Sequence, residues 1–302
     1  MDARLSERPG VSIRRVCAVV NPASGGVRPG AAGELAALFA ELGLDGRVSE
    51  LAPGKFEAVV RAAIAAGPDL IVALGGDGTA RLVAEACGPT GPLVAPLSGG
   101  TMSKLAHALY GANPWRQALA EALARGEPRW MPGGEVGGRA FYCSAVLGSP
   151  ALWARAREAI RARRPGRAWR RALVASHNAF LPRLGYELGA DVGHGQAIGL
   201  ICPTVSRALE DDEGALEAAV LDLRDARAGV RLALSSLFGD WRADPDVTVR
   251  QCVSGRAWAR GPIPTMLDGE FFRLGARLDI RFRPRAFRAL AIAPPEGAPG
   301  PG

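Results

Sequence analysis

Glycines beside hydroxyl or amide side chains recur three times near the start of this chain. The stretches are Asn21-Pro22-Ala23-Ser24-Gly25-Gly26, Gly75-Gly76-Asp77-Gly78-Thr79 and Ser98-Gly99-Gly100-Thr101-Met102-Ser103. Glycine lets a backbone approach a ligand that a Cβ would hold off, while hydroxyl and amide groups donate to anionic oxygens. Asp77 adds an acceptor or a metal-facing carboxylate. The second stretch directly follows the apolar run Leu70-Ile71-Val72-Ala73-Leu74 and directly precedes the helical stretch from Ala80 to Ala86. A strand that feeds a glycine turn opening a helix presents unpaired N–H groups and a positive dipole end, a place for a polyphosphate. A bare strand-to-helix turn capped by Asp77 or Thr79 would carry the same five residues. What favours a nucleotide site is the recurrence of the pattern at three strand ends.

A further pair of carboxylates stands late in the chain, in Leu267-Asp268-Gly269-Glu270 at the end of the apolar run Ile263–Leu267. These residues suit a simple turn. They equally suit a general base, with the second carboxylate orienting it or a metal.

The elements that must position these residues change character part-way along. Strands are expected at Val16–Val20, Gly46–Leu51, Leu70–Leu74 and Leu93–Leu97, with helices at Gly33–Leu42, Phe56–Ala66 and Thr79–Cys87. This alternation predicts a parallel α/β layer, whose ligands bind beyond the carboxyl ends of the strands. Past Arg125, short or alternating apolar runs take over, at Arg139–Val146, Gly185–Leu188, Ala197–Ile201, Ala215–Leu221, Val247–Val253, Leu278–Phe282 and Phe287–Ile292. They predict a β-rich second domain with helical interruptions at roughly 150–181 and 227–241. The expected fold class is α/β plus β, with domains at 1–126 and 127–293 and a disordered tail at 294–302.

Composition narrows the class. The 302 residues are 48% hydrophobic and 22% charged, as in a globular protein, and the net charge is +7. Apolar runs are too short to span a bilayer, and Met1–Arg15 lacks the apolar segment of a secretory signal. A cytoplasmic protein is expected, with visits to a membrane surface from that side. Five scattered cysteines without a Cys-x-x-Cys pair read as buried reduced thiols, and three well-separated histidines show no zinc spacing. Arginines crowd the segment 155–171 among Trp153, Ile160 and Trp169. This suits an anionic membrane surface or, equally, a solvated helical face. No stacking platform or DNA-reading motif accompanies the charge, so no specific nucleic-acid partner is expected. P-loop, Rossmann and Gly-x-Ser-x-Gly signatures are all missing from the sequence.

The three glycine loops, followed much later by Asp268-Gly269-Glu270, resemble the diacylglycerol kinase catalytic-domain family, which includes bacterial lipid kinases and the sphingosine kinases. The Gly-Gly-Asp-Gly element is shared with NAD kinases and phosphofructokinases. The resemblance implies an N-terminal α/β domain that binds ATP with Mg2+, a β-sandwich-like domain that receives a lipid, and a ligand cleft between them. It implies nucleotide contacts from Asn21, Ser24, Gly25, Gly75, Gly76, Asp77, Gly78, Thr79, Gly99, Gly100, Thr101 and Ser103. Ser103 departs from a Gly-Thr-x-Asn pattern usual in the family. Glu270 takes the role of base with Asp268 as its partner, Asp77 faces the metal, and Asp212 and Glu213 match a structural Mg2+ site of some members. Diacylglycerol is the expected acceptor, at the inner face of the membrane. A soluble acceptor such as NAD, or a binding protein with impaired catalysis, are the competing readings. Oligomeric state is not readable from the sequence.

Overall fold

The computed structural model describes residues 12–148, 151, 183–206, 208–209, 214–222 and 247–292. The chain forms two units, one of Met1–Pro132 with Pro284–Gly302 and the other of Gly133–Arg283.

In the first unit, strands and helices alternate as β1 (Arg15–Val20), α1 (Ala31–Glu41), β2 (Asp45–Glu50), α2 (Phe56–Ala65), β3 (Leu70–Gly75), α3 (Asp77–Cys87), β4 (Leu93–Ser98), α4 (Lys104–Tyr110) and α5 (Trp115–Arg125). The strands pair in parallel in the order β2-β1-β3-β4. All of β3 and nearly all of β1 and β4 are buried, which is why they read as unbroken apolar runs. Leu35 and Phe39 of α1, Val60 of α2, Val83 of α3 and Leu119 of α5 pack into the core from the helices. Each such side chain contributes about 1.5–3 kcal/mol on full burial.

One boundary differs where it matters. The sequence placed the start of α3 at Thr79, but the helix begins at Asp77. The amides of Thr79 and Ala80 both donate to the carbonyl of Gly76, at 3.0 and 3.1 Å, so the first turn is closed two residues earlier. Asp77 and Gly78 are therefore helical, with Gly76 as the N-cap in extended conformation.

The second unit carries two antiparallel layers. Following β5 (Glu127–Val136), the strands are β6 (Arg139–Phe141), β7 (Ser144–Gly148), β8 (Leu184–Leu188), β9 (Asp191–Gly195), β10 (Ala197–Ile201), β11 (Leu216–Leu221), β12 (Val247–Cys252), β13 (Ser254–Trp258), β14 (Pro264–Leu267), β15 (Glu270–Arg273) and β16 (Arg277–Ala291). One layer orders the first part of β16 with β13, β8 and β9; the other runs β12-β11-β10-β7-β14-β15. Leu184, Leu188, Ala257, Leu278 and Ile280 from the first share one core with Leu147, Ile198, Leu200, Leu216 and Leu267 from the second, the arrangement of a sandwich.

The architecture is thus the two-domain α/β plus β class that the sequence predicts, with different limits. Unit boundaries fall inside β5 and β16, so residues 127–132 and 284–291 belong to the first unit. Two contacts account for the return of the last strand: Ala289 pairs with Val94, and the Tyr110 hydroxyl donates to the Leu290 carbonyl at 2.6 Å. The expected run Arg139–Val146 is two strands broken at Tyr142 and Cys143. The runs Leu278–Phe282 and Phe287–Ile292 are one strand that continues through Pro284. The helices expected at roughly 150–181 and 227–241 fall, Ala151 excepted, outside the described residues. So do the arginine-rich segment 155–171 and the tail 294–302. No helix among the described residues is long and apolar enough to cross a membrane.

Candidate active site

Strand register brings the three glycine loops to one edge of the parallel sheet. Val20 pairs with Leu74, and Leu74 with Leu97. Residues 21–26, 75–79 and 98–103 accordingly leave the sheet side by side at its carboxyl ends, the ligand-binding edge of such folds.

Polar side chains brace loop to loop. Asn21 donates from Nδ2 to Thr79 Oγ1 at 2.9 Å and accepts the Ala23 amide on Oδ1 at 3.1 Å. The Gly76 amide donates to Ser24 Oγ at 3.2 Å, and the Leu105 amide donates to Asp77 Oδ1 at 3.2 Å. Backbone bonds complete the set, from Gly26 to the Gly99 carbonyl at 2.9 Å and from Gly99 to the Gly75 carbonyl at 2.8 Å.

Beyond the ligand approach expected from the sequence, the glycines have a packing role. A Cβ on Gly100 would lie 2.6 Å from Gly76 Cα, and one on Gly99 would lie 2.6 Å from a Val27 methyl and 3.0 Å from the Gly75 nitrogen. The loops can touch only because these positions lack side chains. Gly25 differs: it is exposed, and open space surrounds the place of its Cβ. Thr101 is also exposed. No side chain of the N-cap residue bonds the first turn of α3. That turn, with half-buried Asp77 and Gly78, keeps the polarity that accepts a phosphate.

The late carboxylates sit on a tight hairpin of the second unit. Leu267 pairs with Glu270, leaving Asp268 and Gly269 as a two-residue loop with φ of 45° and 87°. Two positive φ values in succession are those of the Asp-Gly hairpin turn whose twist matches antiparallel strands. Asp268 is 7% exposed. Its Oδ2 accepts the Tyr142 amide at 2.7 Å, and its Oδ1 accepts the amides of Cys143 and Ser144 at 2.8 and 2.9 Å. Glu270 is exposed, at the first position of β15. Burial foremost, and then the negative charge of Asp268, push the nearby Cys202 thiol well above its ordinary pKa. Nothing in the sequence announced the Tyr142–Ser144 amides as partners, because backbone donors carry no residue signature.

Among the described residues, no group of three or more His, Cys, Asp or Glu side chains is placed to hold a metal. A single carboxylate such as Asp77 could contribute to a magnesium site only together with other oxygen ligands, since Mg2+ is commonly held by one or two carboxylates plus phosphate oxygens. Asp212 and Glu213 lie outside the described residues.

Residues 15–136 match the model of the diacylglycerol kinase catalytic domain. No curated protein gives a significant sequence match. The whole fold is similar to that of a diacylglycerol kinase from Bacillus anthracis str. Sterne, with a TM-score of 0.66 at 15% identity over 93% of this chain and 98% of that one. An NAD kinase from Archaeoglobus fulgidus, solved in complex with ATP, is similar at a TM-score of 0.53 and 12% identity, over 91% of this chain and 93% of that one.

Ser103, which departs from the Gly-Thr-x-Asn pattern of the sequence resemblance, lies within the matched residues. It is 2% exposed, adopts φ 44°, and accepts the Gly100 amide on Oγ at 3.1 Å. The hydroxyl thus closes the third loop upon itself. Asp268 and Glu270 lie beyond the residues matched to the catalytic domain.

Proposed function

We propose that this chain is an ATP-dependent lipid kinase that transfers the γ-phosphate of ATP to a lipid hydroxyl, with diacylglycerol as the acceptor and phosphatidic acid as the product. The observation that carries this reading is the in-register exit of three cross-braced glycine loops at the carboxyl edge of the parallel sheet. Phosphoryl transfer needs rigid positioning and charge compensation more than covalent help from the protein. Mutual bracing of the loops supplies the rigidity. The amides at the start of α3 and the exposed Thr101 hydroxyl donate to phosphate oxygens, and Asp77 would hold Mg2+. Mg2+, when bound there, would neutralise phosphate charge. Glu270, exposed on its hairpin, accepts the proton of the attacking hydroxyl. In this reading the enzyme works as a peripheral protein at the inner face of the membrane, where the arginines of segment 155–171 meet anionic headgroups.

The test is transfer of labelled γ-phosphate from ATP and Mg2+ to a panel of lipids in mixed micelles, with wild type beside Glu270→Gln. Transfer to diacylglycerol that falls about a hundredfold to ten-thousandfold in the variant, with ATP binding retained, is the expected result. Full turnover in the variant removes Glu270 as the base. Transfer to NAD without detergent, and none to lipid, reassigns the acceptor.

A further inference from the structure

The side chain of Asp268 faces backbone, and this separates its role from that of Glu270. The ladder between β14 and β7 pairs Thr265 with Leu147, Met266 with Val146 and Leu267 with Ala145. It continues one step into the turn, where the Asp268 amide donates to the Ser144 carbonyl at 2.9 Å. There the carboxylate takes over. Its two oxygens gather three successive amides, Tyr142, Cys143 and Ser144, at 2.7 to 2.9 Å. These amides lie where β6 ends and β7 begins, and the chain here departs from a single strand. The Cys143 carbonyl in turn accepts the Cys202 amide at 2.9 Å, which ties the same segment to the residue following β10.

We infer that Asp268 is a positioning residue, whose carboxylate clamps the β14–β15 turn to the Tyr142–Ser144 amides and so fixes where Glu270 stands. The inference rests on the reading of Glu270 as the base. It gives Asp268 no metal ion and no proton to move. Both features of the turn support it. Asp268 and Gly269 hold positive φ, so the turn has few alternative conformations, and Glu270 follows immediately as the cross-strand partner of buried Leu267. A carboxylate is the side chain that offers acceptor capacity on both oxygens to three donors. An amide in its place offers one acceptor oxygen and turns an NH2 group toward an N–H that also donates.

The experiment compares full-length Asp268→Asn and Asp268→Gly with wild type and Glu270→Gln. Asparagine and glycine both tolerate the left-handed backbone, so loss of the clamp is separated from loss of the turn. Hydrogen exchange at the amides of Tyr142, Cys143 and Ser144 is the first readout. Protection is expected to fall in both Asp268 variants and to persist in Glu270→Gln. The second readout is kinetic. For Asp268→Asn, kcat is expected to fall about tenfold to a hundredfold, as for a misplaced reacting group. KM for ATP, the Mg2+ concentration giving half-maximal rate and the pH at which the rate falls on the acid side are expected to stay where they are in wild type. A shift in Mg2+ dependence overturns the inference in favour of metal ligation, and a shift of the acid limb overturns it in favour of a shared proton. Lost protection with full kcat shows a clamp that does not position the base. Should wild type transfer phosphate to no acceptor, the kinase reading falls, and the positioning role falls with it, whereas the exchange result still decides whether the clamp exists.

Discussion

At φ 44° the backbone of Ser103 lies in the left-handed region, where an ordinary L-residue is disfavoured by roughly 1–2 kcal/mol and asparagine is among the better-tolerated types. The residue stays there because its Oγ accepts the Gly100 amide and its carbonyl accepts the His107 amide that opens α4. Serine therefore keeps the bond that closes the loop but carries strain that asparagine would relieve. Ser103→Asn is expected to raise stability by up to about 1 kcal/mol while its Oδ1 retains the bond to Gly100. Ser103→Ala is expected to lower stability by about 1–3 kcal/mol, since the strain remains and the Gly100 amide loses its acceptor. Urea unfolding of both variants checks the pair. An asparagine variant less stable than wild type would show that this buried position has no room for the larger amide.

The glycine loops act as one element because each is packed on another. Gly100 is the clearest case. A methyl group there would stand 2.6 Å from Gly76 Cα, against backbone that no side-chain rotation can move aside. Gly100→Ala is expected to cost about 1–3 kcal/mol by overpacking and to weaken ATP binding at least tenfold by parting the second and third loops. Gly25→Ala, at a position with open space around it, is the control expected to leave stability near wild type. Calorimetric titration with ATP and a thermal melt check both. Equal behaviour of the two variants would remove the loop-packing account. These loops were legible in the sequence because β1, β3 and β4 are buried along nearly their whole length and end at conspicuous glycines. Their mutual contacts were not. A glycine that admits a ligand and a glycine that admits a neighbouring backbone look the same until register is known. The Asp268-Gly269 hairpin shows the same limit: its turn was readable from the dipeptide, while the Tyr142–Ser144 donors, some 125 residues away in the chain, were not.

For the whole molecule, the class was legible and the unit boundaries were not. The switch from runs flanked by helices to short alternating runs marks two kinds of sheet. β5 mixes two prolines and two glycines with a few apolar residues, and β16 returns to pair with a strand nearly two hundred residues earlier. No local pattern encodes such a return. The first unit is also fastened at the opposite edge of its sheet, the amino ends of β1 and β3, by one carboxylate. Asp69 accepts the amides of Arg14 and Arg15 on the same oxygen, both at 2.9 Å. Those backbone bonds, Arg15 first and then Arg14, hold its pKa below the ordinary aspartate value. A depressed folded value means that the ionised form is favoured in the folded state. Its stabilisation is fully present above the unfolded value of about 3.9 and is lost as pH falls from there through the lower folded value. The chain carries a net charge of +7 at neutral pH, so protonation of its carboxylates adds repulsion to that loss. Asp69→Asn can still accept both amides on one oxygen, but it has no proton to gain. Its stability is therefore expected to fall less steeply than that of wild type below about pH 4, with similar slopes between about pH 5 and pH 7. Urea unfolding across that range measures both slopes, and identical slopes below about pH 4 would mean that Asp69 contributes nothing to acid stability.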